Sequence, residues 1–220
     1  MKKYSCIAFD LDGTLTDPQN GLIEGFIYAF RKLGIEYGER DSLRRFIGPP
    51  IYDEWQKAFG LTPEEAEVAV QTFREYYLVY GWWDNRVYDG IEDMLKRLKD
   101  AGKTVILATS KPEDTAKKVL NLFGLDKYFD FIGGAGSHKT RDKKWEVLEY
   151  SLSSVGMTDK EDRESCILVG DRCFDAEGAA MCGIDSLGVL WGHGSEEELL
   201  GAGFTHMAKT PSEVAEMLIK

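Results

Sequence analysis

Short apolar runs that alternate with amphipathic helices constrain the fold of this chain more than any other feature of its sequence. The apolar runs are residues 4–9, 105–108, 129–132, 166–169 and 186–190. From about residue 89 onward, a predicted helix follows each run. Strands that alternate with helices predict a doubly wound parallel sheet with helices on both faces. We therefore expect an α/β fold with a Rossmann-like core.

One long block between the first two runs carries no strand signal. Its apolar residues recur at helical spacing, and Thr62-Pro63-Glu64-Glu65 is a capping box with proline at the first helical position. This block predicts an inserted all-helical cap domain at residues 18–85. The core domain is then expected to comprise residues 1–17 and 86–220.

The composition excludes several classes of partner. With 27 Lys and Arg against 38 Asp and Glu, the chain has a net charge of −11 and lacks the basic surface that a nucleic acid polymer or an anionic membrane requires. No apolar run approaches the roughly 18 residues that span a bilayer. The four cysteines form no CxxC pattern, which favours the reducing cytoplasm. The sequence does not reveal the oligomeric state.

The first apolar run ends in two carboxylates, Asp10 and Asp12, followed by Gly13. A glycine here lets the backbone turn, so that both acids can face one ligand. A solvated turn is the simplest alternative. An EF-hand calcium loop does not fit, because its glycine and glutamate positions hold Leu15 and Gly21.

Three later segments also carry polar side chains where a strand ends or a helix begins. Thr109 and Ser110 precede a helix, Lys144 or its neighbour Lys143 opens another, and residues 170–175 (GDRCFD) follow a buried strand. Ligands of open α/β sheets bind at the carboxyl ends of the strands, so we expect these groups to meet there. Two acidic strand ends would repel each other without a cation, and hard oxygen ligands favour Mg²⁺.

The order of these four segments resembles the four motifs of the haloacid dehalogenase superfamily. The motifs are DLDGT at residues 10–14, a threonine at a strand end, a downstream lysine and GDRCFD. The helical block resembles the first type of helical cap in that superfamily, and the similar branch contains phosphoglycolate phosphatases and 5'-nucleotidases. Ser110 stands where many relatives have asparagine. The lysine lacks the usual proline pattern, which leaves Lys143 and Lys144 as candidates, with Lys144 favoured.

The resemblance implies a role for each catalytic residue. Asp10 is the expected nucleophile, and Asp12 is the expected general acid and later general base. Thr109, Ser110 and Lys144 are expected to bind phosphate oxygens. The implied reaction is Mg²⁺-dependent hydrolysis of small phosphate monoesters through an aspartyl-phosphate, as in a phosphoglycolate phosphatase or a 5'-nucleotidase.

The expected metal ligands are the side chains of Asp10 and Asp171 and the backbone carbonyl of Asp12. Asp175 is expected to complete the outer shell of the metal or to orient the lysine. By the same resemblance, dehalogenases lack the second aspartate of the first motif. The presence of Asp12 therefore favours phosphoester hydrolysis or phosphoryl transfer over dehalogenation.

Residues of the helical block are candidates for substrate selection. Arg45 and the turn at Gly48 are expected to bind a substrate carboxylate or phosphate. The aromatic residues of the block are expected to form its core, and the alternative is that some, such as Tyr52 or Trp55, stack on a nucleobase.

Three other functions fit parts of the sequence. A sugar-phosphate phosphomutase would use the same motifs. A P-loop-like nucleotide-binding protein is the alternative from another class, since residues 133–140 (GGAGSHKT) miss the motif G-x-x-x-x-G-K-T only at His138. A catalytically idle regulatory domain is the third.

Overall fold

The chain forms two compact units in a computed structural model that describes residues 3–136 and 140–220. The first unit comprises Met1–Asp17 and Val87–Lys220, and the second comprises Pro18–Arg86. The second boundary lies one residue beyond the one predicted from the sequence. The use of the second unit as a cap stays a prediction.

The second unit, called the helical unit below, contains three α-helices. They are α1 (Gln19–Leu33), α2 (Ile51–Phe59) and α3 (Pro63–Tyr76), with a 3-10 helix at Arg40–Phe46 and a π-helical turn at Tyr77–Gly81. Thr62 and Glu65 form the predicted capping box at the start of α3. The helix that starts at this capping box changes to π-helical hydrogen bonding at Tyr77.

An aromatic cluster forms the core of the helical unit. The Trp55 side chain is fully buried, and its ring centroid lies 5.5 Å from Phe26, 4.7 Å from Phe30 and 6.2 Å from Phe73. The hypothesis that Trp55 stacks on a nucleobase is therefore wrong, because the indole is packed in the core and has no exposed face. Tyr52 is partly exposed, and its hydroxyl donates to the Pro63 carbonyl at 3.4 Å.

The first unit, called the α/β unit below, confirms the expected fold class. Its strands are β1 (Cys6–Phe9), β4 (Thr104–Pro112), β5 (Phe131–Ala135), β6 (Cys166–Gly170), β7 (Asp185–Val189) and β8 (His206–Ala208). Two short strands, β2 (Thr16–Asp17) and β3 (Arg86–Val87), form a separate pair where the chain passes between the units.

Helices connect the strands of the α/β unit. They are α4 (Ile91–Asp100), α5 (Glu113–Leu122), α6 (Lys144–Ser154), α7 (Lys160–Glu164), α8 (Cys173–Met181), α9 (Glu196–Ala202) and α10 (Pro211–Leu218), with a 3-10 turn at Asp126–Tyr128. Among the described residues, no helix is both long enough and apolar enough to cross a bilayer.

The register of the sheet decides which residues meet at its edge. The strand order is β5-β4-β1-β6-β7-β8, and all of these strands pair in parallel. Phe9 at the end of β1 lies opposite Leu107 of β4 and Val169 of β6. The polar segments that follow these three strands are therefore brought to one edge.

The three central strands are buried, because helices cover the sheet. One face packs against α6 and α8 in a cluster that includes Ala8, Ile106, Leu168 and Val147. Side chains alternate across a strand, so Phe9 and its neighbours of the same parity face the other side. This burial on both faces explains why the strands appear as continuous apolar runs in the sequence.

The aromatic cluster provides a test of what stabilises the helical unit. We expect Trp55→Ala to lower the free energy of unfolding by about 3–5 kcal/mol, because it opens a cavity among three aromatic rings. Trp83→Ala is the matched control, since that tryptophan is 53% exposed and its loss should change stability by about 0.5 kcal/mol or less. Urea unfolding followed by far-UV circular dichroism measures both. Equal effects of the two substitutions would contradict the assignment of this core.

Candidate active site

Three buried carboxylates converge at the carboxyl edge of the sheet. Asp10 follows β1, Asp171 follows β6, and Asp175 lies in the first turn of α8. Each offers an oxygen within 4.8 Å of the others, and they are 9%, 0% and 2% exposed. Like charges at such distances repel strongly away from water, so this cluster requires compensating positive charge.

Lys144 supplies the first part of that compensation. It is the first residue of α6, and its Nζ lies 2.7 Å from Asp10 Oδ1 and 2.7 Å from Asp175 Oδ1. Burial lowers the pKa of Lys144, but the two carboxylates outweigh it and raise the pKa above its usual value. The lysine is therefore held as a cation. Of the two candidate lysines, Lys144 reaches the cluster, whereas Lys143 is exposed.

Asp175 uses both of its oxygens within the protein. Oδ1 accepts from Lys144, and Oδ2 accepts from the backbone N–H groups of Asp171 (3.1 Å) and Arg172 (3.0 Å). Burial raises the pKa of Asp175 and Lys144 opposes the rise. These contacts tie the loop after β6 to the lysine, which matches the expected orienting role better than direct metal binding.

Asp171 accepts hydrogen bonds from two donors, but its ionisation is costly in the absence of a cation. The Thr14 hydroxyl donates to Oδ1 at 3.0 Å, and the backbone N–H of His193 donates to Oδ2 at 2.8 Å. Burial, followed by the charges of Asp175 and Asp10, raises the pKa of Asp171 to about 8. The two hydrogen bonds oppose this rise but do not cancel it.

Glycines leave the space that Asp171 occupies. Gly13 has a φ of +90°, and a Cβ there would lie 2.2 Å from Asp171 Oδ2. A Cβ on Gly192 would lie 2.3 Å from Asp171 Cβ. Both positions exclude a side chain, Gly13 also because of its left-handed backbone, so the loops can close around the carboxylate.

Asp12 forms a second, separate ion pair. Its Oδ2 lies 2.5 Å from Nζ of Lys111, and the two side chains are 17% and 4% exposed. The other oxygen, Oδ1, is buried and has no hydrogen-bond partner among the described residues. The expected contribution of Asp12 to a metal is its backbone carbonyl, and that stays a prediction.

Near its end, β4 buries one threonine and exposes the serine that follows it. Thr109 is 2% exposed, and its Oγ1 accepts from the backbone N–H of Lys111 at 3.3 Å. Ser110 is exposed. Lys111 lies two residues beyond Thr109, so alternation along the strand buries both side chains and exposes Ser110 between them.

Two predicted substrate residues belong to the helical unit. Arg45 and Gly48 are both exposed there, and the guanidinium of Arg45 lies 4.7 Å from the centroid of the Phe46 ring. Their part in substrate binding stays a prediction. The P-loop alternative cannot be followed through its loop, because residues 137–139, including His138 and Lys139, lie outside the described residues.

Sequence reasoning missed three groups that shape the site. Lys111 was overlooked because its neighbours Thr109 and Ser110 carried the motif. Thr14 was quoted within DLDGT but was given no role. His193 acts through its backbone N–H, which leaves no side-chain signal, although its position just past the last main strand, next to Gly192, is a usable hint.

The donor set of the site fits a hard divalent cation. When all three are ionised, as a bound cation favours, Asp10, Asp171 and Asp175 carry three negative charges against the single charge of Lys144, and the pair of Asp12 with Lys111 is neutral. About two negative charges are left, and every candidate ligand atom is an oxygen. Mg²⁺ prefers oxygen ligands and needs only one or two protein carboxylates, so Asp10 and Asp171 suffice to hold it.

This charge balance predicts a pH-dependent response to metal. In metal-depleted protein, folded Asp171 keeps its proton up to about pH 8, whereas an unfolded aspartate loses it near 3.8. Stability should therefore fall as the pH rises from about 4 to about 8 and then level off. A bound cation favours the carboxylate, so MgCl₂ should raise the melting temperature more at pH 8 than at pH 5.

Calorimetry with and without MgCl₂ at the two pH values measures this response. Asp171→Asn is the control, since it removes the titrating group and one metal ligand and should weaken both effects. Equal stabilisation by MgCl₂ at pH 5 and pH 8 would contradict this account of the site.

Comparison with known proteins agrees with this geometry. A family model described as haloacid dehalogenase-like hydrolase matches residues 7–189. A 5'-nucleotidase of Pseudomonas aeruginosa is 37% identical over 216 residues, which cover 98% of this chain and 96% of that protein. The tyrosine-protein kinase PtkA of Mycobacterium tuberculosis is 39% identical over 188 residues, 86% of this chain and 62% of the kinase.

A solved structure extends the likeness to the whole fold. The crystal structure of a predicted phosphatase from Clostridium acetobutylicum superposes with a TM-score of 0.91 at 36% identity, and the match covers 98% of both chains. The family match spans most of the chain, from β1 to the end of β7, and contains all four motifs. This chain is therefore an enzyme of the haloacid dehalogenase-like hydrolase family.

Proposed function

We propose that this chain is a Mg²⁺-dependent phosphatase that hydrolyses small phosphate monoesters through an aspartyl-phosphate at Asp10. The observation that carries the proposal is the buried carboxylate cluster in which Lys144 bridges Asp10 and Asp175. A buried acid beside a fixed cation, at the edge of a parallel sheet, is suited to binding and attacking an anionic ester.

Asp10 is the proposed nucleophile because it is an acid of the cluster and lies directly at the end of a central strand. A carboxylate oxygen attacks phosphorus, the bond from phosphorus to the ester oxygen breaks, and an acyl phosphate forms. The attack brings a side-chain anion towards a phosphate dianion. Two unit charges 4 Å apart repel by about 4 kcal/mol at an effective dielectric constant of 20, and the dianion doubles this.

Positive charge at the site offsets that repulsion. Lys144 faces Asp10 and can bind a phosphate oxygen without moving from the cluster. Asp10 and Asp171, with the backbone carbonyl of Asp12, would hold Mg²⁺, and the bound ion would supply charge neutralisation at the phosphate oxygens. Thr109 is buried at the same edge, and its hydroxyl is a further candidate donor.

Asp12 is the proposed proton donor and acceptor. It gives a proton to the leaving oxygen as the ester bond breaks, and it later takes one from the water that attacks the acyl phosphate. These two transfers return Asp10 and Asp12 to their starting states and release inorganic phosphate. Asp175 takes no part in bond making and fixes the position of Lys144 instead.

We propose small phosphate monoesters as the substrate class, and several individual substrates within that class stay open. The 5'-nucleotidase relative supports a nucleoside monophosphate, and the resemblance to phosphoglycolate phosphatases supports a small carboxylated ester. The relative named as a tyrosine-protein kinase is a reason to keep phosphoryl transfer, the reaction of a phosphomutase, as the alternative. A small phosphorylated metabolite in the cytoplasm is the partner we propose.

Loss of the nucleophile tests the chemistry directly. We expect Asp10→Asn to reduce Mg²⁺-dependent phosphate release from p-nitrophenyl phosphate by about a thousandfold or more, because no other side chain can form the acyl phosphate. Acid-quenched wild-type enzyme should carry phosphate on Asp10, identified by peptide mapping. Asp142→Asn is the matched control, since that acid is exposed in the same unit and should leave activity unchanged. Equal release by wild type and Asp10→Asn would exclude the mechanism.

A substrate panel tests the class. Wild-type enzyme with MgCl₂ is compared on nucleoside monophosphates, phosphoglycolate and sugar phosphates, by kcat/KM for phosphate release. We expect at least one of these to exceed p-nitrophenyl phosphate about tenfold or more, as a recognised leaving group should. Isomerisation of a sugar phosphate faster than phosphate release would indicate a mutase. ATP hydrolysis that is lost in Lys139→Ala would favour the P-loop alternative.

A further inference from the structure

A buried lysine that the proposed chemistry does not use lies against the proposed acid. Nζ of Lys111 is 2.5 Å from Asp12 Oδ2, and only 4% of the lysine side chain is exposed. Lys144 instead forms ion pairs with Asp10 and Asp175. The site therefore contains two lysines that pair with different acids.

The backbone fixes Lys111 where its side chain can reach Asp12. The backbone N–H of Lys111 donates to Thr109 Oγ1, and the register of β4 shifts in this segment. Thr109 and Lys111 are two residues apart, so alternation along the strand puts both side chains on the same, buried side, whereas Ser110 between them is exposed. The lysine is therefore held at its backbone by Thr109 and at its tip by Asp12.

The two oxygens of Asp12 are not equivalent. Oδ2 accepts from Lys111, whereas Oδ1 is buried and has no hydrogen-bond partner among the described residues. A buried polar atom without a partner is costly, and such atoms occur where a ligand or a reacting group completes the bonding. Oδ1 is therefore the oxygen available for proton transfer.

Fold stability alone is a weak explanation for this ion pair. Removing two charges from water costs about as much as their attraction returns, and buried pairs can often be replaced by apolar side chains without loss. A role in positioning accounts for the pair better, because a general acid must stay within hydrogen-bond reach of the oxygen that it protonates.

We propose that Lys111 is a positioning residue for the general acid, an inference that rests on the proposed phosphatase function. It binds Asp12 Oδ2 and so directs Oδ1 towards the leaving oxygen of the ester. Oδ1 first takes up a proton from solvent, before the ester bond breaks. When the bond from phosphorus to the ester oxygen breaks, this proton passes to that oxygen, and the electron pair of the O–H bond stays on Asp12. The resulting carboxylate is then paired with the lysine ammonium, which is the arrangement seen in the structure.

The dependence of rate on the leaving group tests this inference. The substrates are p-nitrophenyl phosphate, phenyl phosphate and glycerol 2-phosphate, in order of increasing need for a proton at the leaving oxygen. The constant kcat/KM covers only the steps up to departure of the alcohol, so hydrolysis of the acyl phosphate does not enter. General acid catalysis typically contributes 10²- to 10⁴-fold, and a misplaced acid forfeits part of it.

We expect Lys111→Met to lower kcat/KM about tenfold or more on glycerol 2-phosphate but less than about threefold on p-nitrophenyl phosphate. Lys111→Arg should restore part of the loss. In an Asp12→Asn background, Lys111→Met should cause little further loss, since the lysine acts through that acid. Lys103→Met is the matched control, because Lys103 is also a buried lysine, bound to the Tyr4 carbonyl at 2.6 Å, and should leave the ratio between substrates unchanged.

Two results would overturn the inference while leaving the proposed function intact. One is an equal loss on all three substrates, and the other is faster hydrolysis of glycerol 2-phosphate by Lys111→Met. If circular dichroism shows that Lys111→Met is not folded, Lys111→Gln, which keeps a donor without the charge, is judged by the same ratio. Absence of Mg²⁺-dependent phosphate release by the wild type would remove the proposed function, and the inference with it.

Discussion

The ion pairs of Lys144 with Asp10 and Asp175 are the interaction on which the site depends. Three ionised carboxylates with oxygens within 4.8 Å of one another repel strongly inside a protein unless a cation lies among them. One lysine joins two of them, each at 2.7 Å, and leaves the third, Asp171, to the hydrogen bonds of Thr14 and His193. The charge that the lysine does not balance gives the site its affinity for a divalent cation. The same imbalance makes the metal-free fold sensitive to pH.

The sheet makes this concentration of charge possible. Central strands that are buried on both faces fix the backbone firmly, and their parallel register brings the ends of β1, β4 and β6 to the same edge. The acids then need only short loops to reach one another. Glycine is required where those loops pass the Asp171 carboxylate, since a Cβ on Gly13 would lie within 2.2 Å of it. The packing of the sheet therefore fixes the positions of the charged side chains in the active site.

More of the fold than of the side-chain contacts at the site could be predicted from the sequence. Apolar runs and helical spacing are local patterns, and they gave the α/β class, the helical block and the strand ends. The choice between Lys143 and Lys144 depends on the residue at which α6 begins, because only one of two adjacent side chains can face the sheet. Lys111 was missed for a different reason. Alternation from Thr109 places it on the buried side of β4, but its partner Asp12 follows another strand, and no local pattern records that pairing.

The role of Trp55 also could not be decided from the sequence alone. Its residue type suited both a core and a nucleobase platform, and only the packing around it decides for the core. Substrate choice stays a prediction for side chains that the core leaves exposed, and Arg45 is one such side chain. The chemistry and the choice of substrate are constrained differently. A phosphoryl site needs buried charge at fixed distances, which the sheet enforces, whereas recognition of one ester among many needs only a few exposed groups, which can change without disturbing the cluster.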